Sequence, residues 1–361
     1  MRFFVASLTL LAALAAGPAW SLAAQQPAQS RAQARAKTDD GPYVVWEGDR
    51  ATVHWAKGGG HVSETFQAPF ALALPGIAPA KLSLDGRPYP EAPWDVPRPQ
   101  KVFAVSDVHG AFDVMRSLLI AHKVIDSKNR WKFGKGHLVI AGDIADRGDK
   151  MTEAYWFVRA LEASAAKAGG GVHMLIGNHE AMLLTGDYRY INPLYAKPPE
   201  GMPGLSSLWG EESELGRWLR SRPMMVKLGD TLFLHGGISP AFLAKGLDME
   251  TANRSVRYAP REERSEMETF LLGSSGPLWY RGLILSDQPD SITQEGLGNI
   301  LAHFGAKRIA VGHTTVVNAK AFHGGKVIAV DGGIQHGRGE GVYIDKKRAY
   351  RAMADGTKVG L

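Results

Sequence analysis

From Lys101 onward the chain alternates short apolar runs with longer amphipathic ones. "KVFAVSD" (101–107), "HLVIAGD" (137–143) and "VHMLIGN" (172–178) are continuous apolar stretches of strand length, each ending in a polar residue. Such runs suit strands covered on both faces. Between them, "AFDVMRSLLIAHKVI" (111–125) and "MTEAYWFVRALEASAAKAG" (151–169) read as helices, the second closed by glycines. A further helix is expected from Glu180, and "TLFLHGG", "RIAVGHT", "KVIAVDGG" and "GVYID" as later strands. There is no internal repeat. The alternation predicts an α/β fold.

Upstream the pattern changes. "YVVWEG", "ATVHWAKG", "HVSETFQA" and "AKLSLDG" are short β-prone runs separated by Gly, Pro and Asp turns. They predict a small β-subdomain over residues 42–98. The prolines of "PYPEAPWDVPRPQ" mark its end, and residues 99–361 form the main domain. Residues 24–41, rich in Ala, Gln and Arg and lacking aromatics, read as a flexible tether. Residues 1–23 read as a signal peptide. Arg2 precedes the apolar core "FFVASLTLLAALAAG", which is short for a membrane span, and "SLA" offers a small-x-small cleavage site. The expected location is periplasmic or secreted, with no stable membrane span after processing. An uncleaved anchor is the alternative.

Composition narrows the chemistry. With 45% hydrophobic and 22% charged residues in 361, the chain has material for one large domain and a smaller one. The formal charge of +6 is modest and lies partly in the N-terminal segment (Arg31, Arg35, Lys37), with no block of basic residues. No nucleic-acid partner is expected. The absence of cysteine excludes both a disulfide framework and a thiolate nucleophile.

The strand ends carry the candidate site. Asp107 and His109 follow the first apolar run, Asp143 the second, Asn178 and His179 the third, and His235 and His313 end two later ones. In α/β sheets the carboxyl ends of strands converge on the ligand crevice, so one shared site is the economical reading. Carboxylate, imidazole and amide oxygen without sulfur suit divalent Mn, Fe or Zn. Asp107 and His109, two apart on an extended segment, would share a side and grip one ion. Asn178, His235 and His313 would grip a second, with Asp143 bridging both. Two such ions about 3.5–4 Å apart lower the pKa of a shared water toward about 7 and prepare it for in-line attack on phosphorus.

The series "DVHG…GDIADRG…GNHE…HGG…GHT" resembles the metallophosphoesterases, and its "GD-x-x-DRG" and "GNHE" forms resemble the phosphoprotein phosphatase branch. "LWGEESELGRWLRS", "LFLHGGIS", "GPLWYRG" and "KVIAVDGGI" are similar to the bacterial Shewanella-like protein phosphatases, a group that includes a cold-active protein-tyrosine phosphatase. The resemblance runs from about Val102 to Gly333. It implies a calcineurin-like fold: a central β-sandwich flanked by helices, here with the small N-terminal β-subdomain. It implies a phosphoprotein or phosphopeptide substrate, with phosphotyrosine favoured. It makes His179 the general acid and Asp146 its orienting partner. Arg147 and Arg281 become the phosphate-binding pair; otherwise Arg281 would be a surface arginine. Ser106 departs from the family's usual Gly before the first Asp, and Ala145 replaces a larger apolar residue.

Several alternatives stay open. The same core also serves hydrolases of bis-nucleotides or small phosphate esters, and a catalytically inactive phosphoprotein-binding module is the rival outside enzymes. His173 reads as a core residue of its strand, and His54, His61, His122, His137, His303 and His323 as structural or solvated. His336 follows a glycine-rich turn within possible reach of the site, and Asp331 reads as structural. Tyr188, Tyr190, Tyr195 and Trp209, in the loop-rich insertion after the third strand, look exposed. They line a substrate groove or pack into a lid of their own.

Overall fold

Alternation within the strands sets the layers. In β7 (Lys101–Val105) Val102 and Ala104 face one apolar cluster, Phe103 and Val105 another. β8 (His137–Ile140) repeats this with Val139 against Leu138 and Ile140, and β11 (Thr231–Leu234) with Phe233 against Leu232 and Leu234. β12 (Arg308–Val311) places Ala310 opposite Ile309 and Val311. One face of each strand therefore packs between two sheets, and the other packs beneath helices. This is the expected helix-flanked sandwich. The computed structural model describes residues 39–257, 263–346 and 348–361, so the expected signal peptide and most of the tether lie outside the described residues.

The first sheet runs β17-β16-β15-β7-β8-β9, where β9 is Gly171–Met174, β15 Gly341–Asp345, β16 Arg348–Ala352 and β17 Lys358–Gly360. β7, β8 and β9 are parallel, and β15 joins β7 antiparallel. The second sheet runs β13-β14-β12-β11-β10-β6. Its members are β6 (Asp95–Val96), β10 (Met225–Leu228), β13 (Lys320–Phe322) and β14 (Val327–Ala329), with β11, β12 and β14 parallel. Helices α1 (Phe112–Ala121) and α2 (Met151–Lys167) connect the parallel strands of the first sheet. Glu153 in the first turn of α2 and Lys167 in its last complement the helix dipole. α3 (Asn178–Leu184) begins directly at the third candidate motif.

The N-terminal strands β1 (Asp40–Glu47), β2 (Arg50–Lys57) and β3 (Gly60–Gln67) form an antiparallel meander, followed by the pair β4 (Phe70–Leu72) and β5 (Leu82–Leu84). Tyr43, Val44, Trp46 and Val53 share one apolar cluster with Trp156 and Phe157 of α2. Trp156 Nε1 donates to the Pro42 carbonyl at 2.8 Å, and Trp46 Nε1 to Glu214 Oε2 at 2.8 Å. β6 pairs with β10, so the chain enters the sandwich just before residue 98.

Candidate active site

Backbone bonds continue past the strand ends and align the loops. The Asp107 amide donates to the Gly142 carbonyl at 3.1 Å, and that of His109 to the Asp143 carbonyl at 2.8 Å. The Gly312 amide reaches the His235 carbonyl at 2.8 Å, which carries the β11–β12 pairing of the second sheet past its strand ends. Asp107, His109, Asp143, Asp146, Arg147 and His313 all have φ between 44° and 70°. That left-handed conformation is unfavourable for residues bearing a Cβ and is concentrated where side chains must be aimed. It corrects the expectation of an extended Asp107–His109 segment. The two side chains still converge, with His109 Nε2 3.9 Å from Asp107 Oδ1 and a left-handed residue on either side of Val108.

Two glycines open the space. A Cβ on Gly177 would lie 2.1 Å from Asp143 Oδ1, and one on Gly312 1.9 Å from Ser106 Oγ. The second contact explains how Ser106 is accommodated. Its hydroxyl lies 2.6 Å from Asp107 Oδ2, which also accepts the His313 amide at 2.9 Å. Oδ1 of Asp107 is left to face the centre.

The structure brings all six expected ligands together, every one buried. Two triads share Asp143: His109–Asp143–His179 and Asp143–His235–His313, the donor atoms of each within 4.8 Å of one another. Asp143 Oδ2 lies 3.1 Å from His235 Nε2 and 3.6 Å from His109 Nε2. Asn178 Oδ1 lies 2.8 Å from His235 Nε2. His109 Nδ1 donates to the Ala145 carbonyl at 2.8 Å, and His235 Nδ1 to the Ala141 carbonyl at 2.7 Å. A carbonyl only accepts, so these bonds fix the proton on Nδ1 and turn Nε2 inward.

The donors fit divalent metal. His109 Nε2 and His313 Nε2 are buried with no hydrogen-bond partner among the described residues. Burial, opposed by Asp143, holds His109 down to about 3, and burial with the neighbouring His235 and Arg281 holds His313 well below its ordinary value. Both are neutral imidazoles with a free lone pair. Burial, then repulsion from Asp331, pushes Asp107 up to about 8. Asp143 is buried, yet three surrounding imidazoles hold it well below the usual carboxylate range. The raised Asp107 carboxylate, beside the orphaned imidazoles of His109 and His313, marks a site short of positive charge.

His179 Nδ1 meets Asp146 Oδ2 at 2.5 Å, and its Nε2 lies 3.2 Å from an Arg147 nitrogen. Burial alone would lower the pKa of His179, but Asp143 and Asp146 outweigh it and hold the imidazole above its ordinary value. Arg147 is exposed at the rim. Arg281 is half-buried, donates to the His313 carbonyl at 2.5 Å, and feels the charges of Asp107 and Asp143. The geometry places it beside the centre and not on the outer surface.

Two residues of the site escaped the sequence reading. Glu180 is buried and accepts from the amides of Asp143, Ile144, Ala145 and Gly177 and from the Tyr155 hydroxyl. Its one signal was an acid at the start of a helix, where a carboxylate commonly bonds backbone N–H groups. Gln335 Oε1 accepts from Arg147 at 2.5 Å, whereas its neighbour His336 is exposed. Asp331 accepts from Thr315 Oγ1 and the Gly333 amide.

The aromatic insertion divides. Tyr195 and Trp209 are buried, contrary to their exposed look: the Tyr195 hydroxyl bonds Met151 N and Asp149 O, and Trp209 packs on Tyr43 and Tyr155. Tyr190 is 38% exposed, with its ring 5.3 Å from that of His179. His173 keeps partial exposure at its strand and pairs with His137 at 2.8 Å. His54 pairs similarly with His61 at 3.0 Å.

The comparisons with known proteins agree with this geometry. Residues 100–317 match the calcineurin-like phosphoesterase family. The crystal structure of a cold-active protein-tyrosine phosphatase from a psychrophilic Shewanella species has a TM-score of 0.81 and 35% identity, covering 90% of this chain and 100% of that one. Shewanella-like protein phosphatase 2 of Arabidopsis thaliana is 24% identical over 303 residues, 68% of this chain and 74% of that protein. A symmetrical bis(5'-nucleosyl)-tetraphosphatase of Vibrio parahaemolyticus is 28% identical over 190 residues, 52% of this chain and 58% of that protein. A sandwich whose strand ends gather a buried imidazole–carboxylate centre, matched over more than half its length, leaves one assignment: the chain belongs to the calcineurin-like phosphoesterase family of metallophosphoesterases.

Proposed function

We propose that the chain is a two-metal phosphomonoesterase that dephosphorylates phosphoproteins, with phosphotyrosine the preferred target. The observation that carries the substrate class is the 35% identity with a cold-active protein-tyrosine phosphatase across 90% of the chain. Asp107, His109 and Asp143 would hold one ion and Asp143, Asn178, His235 and His313 the other. When bound, two divalent ions such as Mn, Fe or Zn supply Lewis-acid activation of the attacking water and neutralise phosphoryl charge.

The chain's own groups do the rest. Arg147, a planar guanidinium at the rim, and Arg281 take the phosphoryl oxygens. Asp146 fixes the His179 proton on Nδ1 and stabilises the imidazolium form. Nε2 of that imidazolium then delivers its proton to the leaving oxygen. The Arg147 guanidinium, which can only donate, lies 3.2 Å from this Nε2, so Nε2 takes up its proton once a phosphoryl group has drawn the guanidinium away. With no cysteine in the chain, the thiol route through a phospho-enzyme is closed. The proposed location is the periplasm or the exterior, on the strength of the N-terminal segment. No helix among the described residues is long and apolar enough to cross a membrane.

A bis-nucleotide hydrolase is the second reading, favoured by the tetraphosphatase of Vibrio parahaemolyticus, whose match spans 52% of the chain. An inactive binding module gives His179 and Asp146 no role. The deciding experiment is kcat/KM of the metal-loaded protein on matched phosphotyrosine and phosphoserine peptides and a bis-nucleotide, with Asp107→Asn as the blank. A phosphotyrosine preference absent from the blank supports the proposal. A bis-nucleotide preference replaces the substrate class, and no turnover above the blank restores the binding module.

A further inference from the structure

Beside Asn178 the surface drops into a cavity of about 240 Å³. Met182 and Trp279 line it, with Tyr190, Arg189 and Arg264 around them. Trp279 stands edge-on to the His313 ring at 5.4 Å, and Tyr190 lies 5.3 Å from the His179 ring. The cavity therefore adjoins the candidate centre, within reach of a molecule whose phosphoryl group is bound there.

Its charge is uneven. The Arg189 guanidinium is committed to Asp187, which also lines the cavity. Arg264 is exposed and has no ion-pair partner among the described residues. The nearby Glu268 is occupied in capping its own helix through Ser265. Among the described residues Arg264 is thus the one cation left over in a mostly polar pocket that also offers Met182 and Trp279. Pockets that enclose a drug-sized ligand measure about 300–1,000 Å³. This one falls below that range and suits one or two side chains better than a second nucleoside.

We infer that this cavity is the subsite for an acidic side chain flanking the phosphorylated residue, with Arg264 as its specificity determinant. The inference rests on the phosphopeptide reading above. An acidic side chain lays its methylenes on Met182 and Trp279 and its carboxylate at Arg264, the two ends of the pocket matching the two ends of the side chain. Tyr190 and Trp279 flank the leaving group.

The test uses the full metal-loaded chain and phosphotyrosine peptides flanked on both sides by Glu, Gln or Lys, with a phosphoserine peptide and a bis-nucleotide alongside. Wild type is expected to favour the Glu peptide over the Gln peptide about fivefold in kcat/KM, the scale of one exposed charge pair. Arg264→Gln brings that ratio close to one, and Arg264→Glu inverts it in favour of Lys. Arg50→Gln, which removes a charge from β2, leaves it intact. A wild-type ratio of one with phosphotyrosine still preferred over the other substrates overturns the subsite and leaves the parent reading standing. A fivefold ratio that survives Arg264→Gln overturns the role of Arg264. A bis-nucleotide turned over faster than every peptide overturns both.

Discussion

Replacing Glu180 by Gln should loosen the metal-bearing loop without touching a ligand. Five donors converge on this buried carboxylate at 2.6–3.0 Å, so only its ionised form satisfies them all. Burial and the charge of Asp143 push its pKa up, but a proton there would displace one of the donors. Oε1 serves Ile144 N, Ala145 N and the Tyr155 hydroxyl, and Oε2 serves Asp143 N and Gly177 N. Gln keeps one oxygen and places an NH₂ group where the other stood. In its better orientation two backbone amides, those of Asp143 and Gly177, face a donor. Each buried group left unpaired costs about 1–3 kcal/mol, so the loss is about 2–6 kcal/mol. At about 2 °C per kcal/mol for a long domain, the melting temperature falls by about 4–12 °C. Tyr155→Phe removes a donor and orphans none of the amides, so its loss is smaller, about 1–2 kcal/mol. Calorimetry of the three proteins at matched metal content measures both. A Glu180→Gln protein that melts with the wild type, or above Tyr155→Phe, refutes the account of this carboxylate as the clamp on the Asp143 loop.

Other expectations follow from the same geometry. His179→Ala should retain metal and lose rate chiefly on alkyl phosphates with poor leaving groups; equal losses on aryl and alkyl esters in steady-state kinetics would exclude the general-acid role. Gln335→Ala frees Arg147 from its anchor and should weaken inhibition by inorganic phosphate about fivefold, the scale of one ordinary hydrogen bond, while His336→Ala has no effect. His173 is held down to about 3, chiefly by burial and then by His137, and His137 is itself lowered by burial. Both fold neutral, so their contribution is complete above the unfolded value of about 6.5 and is lost as pH falls from there toward about 3. Between pH 7 and pH 5 the wild type should lose about 2 kcal/mol that His173→Gln does not, and identical pH profiles by calorimetry would contradict this.

The candidate ligand set was legible because each candidate follows an apolar run, and a run of four or five buried residues betrays its strand without any tertiary information. Asp107, Asp143, Asn178, His235 and His313 announce themselves by position alone. What was illegible depends on contacts between distant segments. Gln335 reaches Arg147 across 188 positions, and a polar residue in a glycine-rich turn gives no hint of its target. The left-handed backbone of Asp107 and His109 was hidden because non-glycine residues adopt it only when their surroundings compel it. Tyr195 and Trp209 lie in a stretch with turn residues and read as exposed, yet the N-terminal meander and α2 supply the surfaces that bury them. The pairing of His137 with His173 likewise needs the β8–β9 register, which sequence spacing does not reveal.

The central claim is a dinuclear centre joined by Asp143, whose carboxylate belongs to both triads. The most direct test is metal stoichiometry by elemental mass spectrometry on the folded wild type and on Asp143→Asn, each loaded with excess Mn and desalted. The account predicts two ions per wild-type chain and a loss of occupancy in the variant, since one bridging charge serves both positions. Wild type that binds no metal, or Asp143→Asn that still holds two ions, would contradict it.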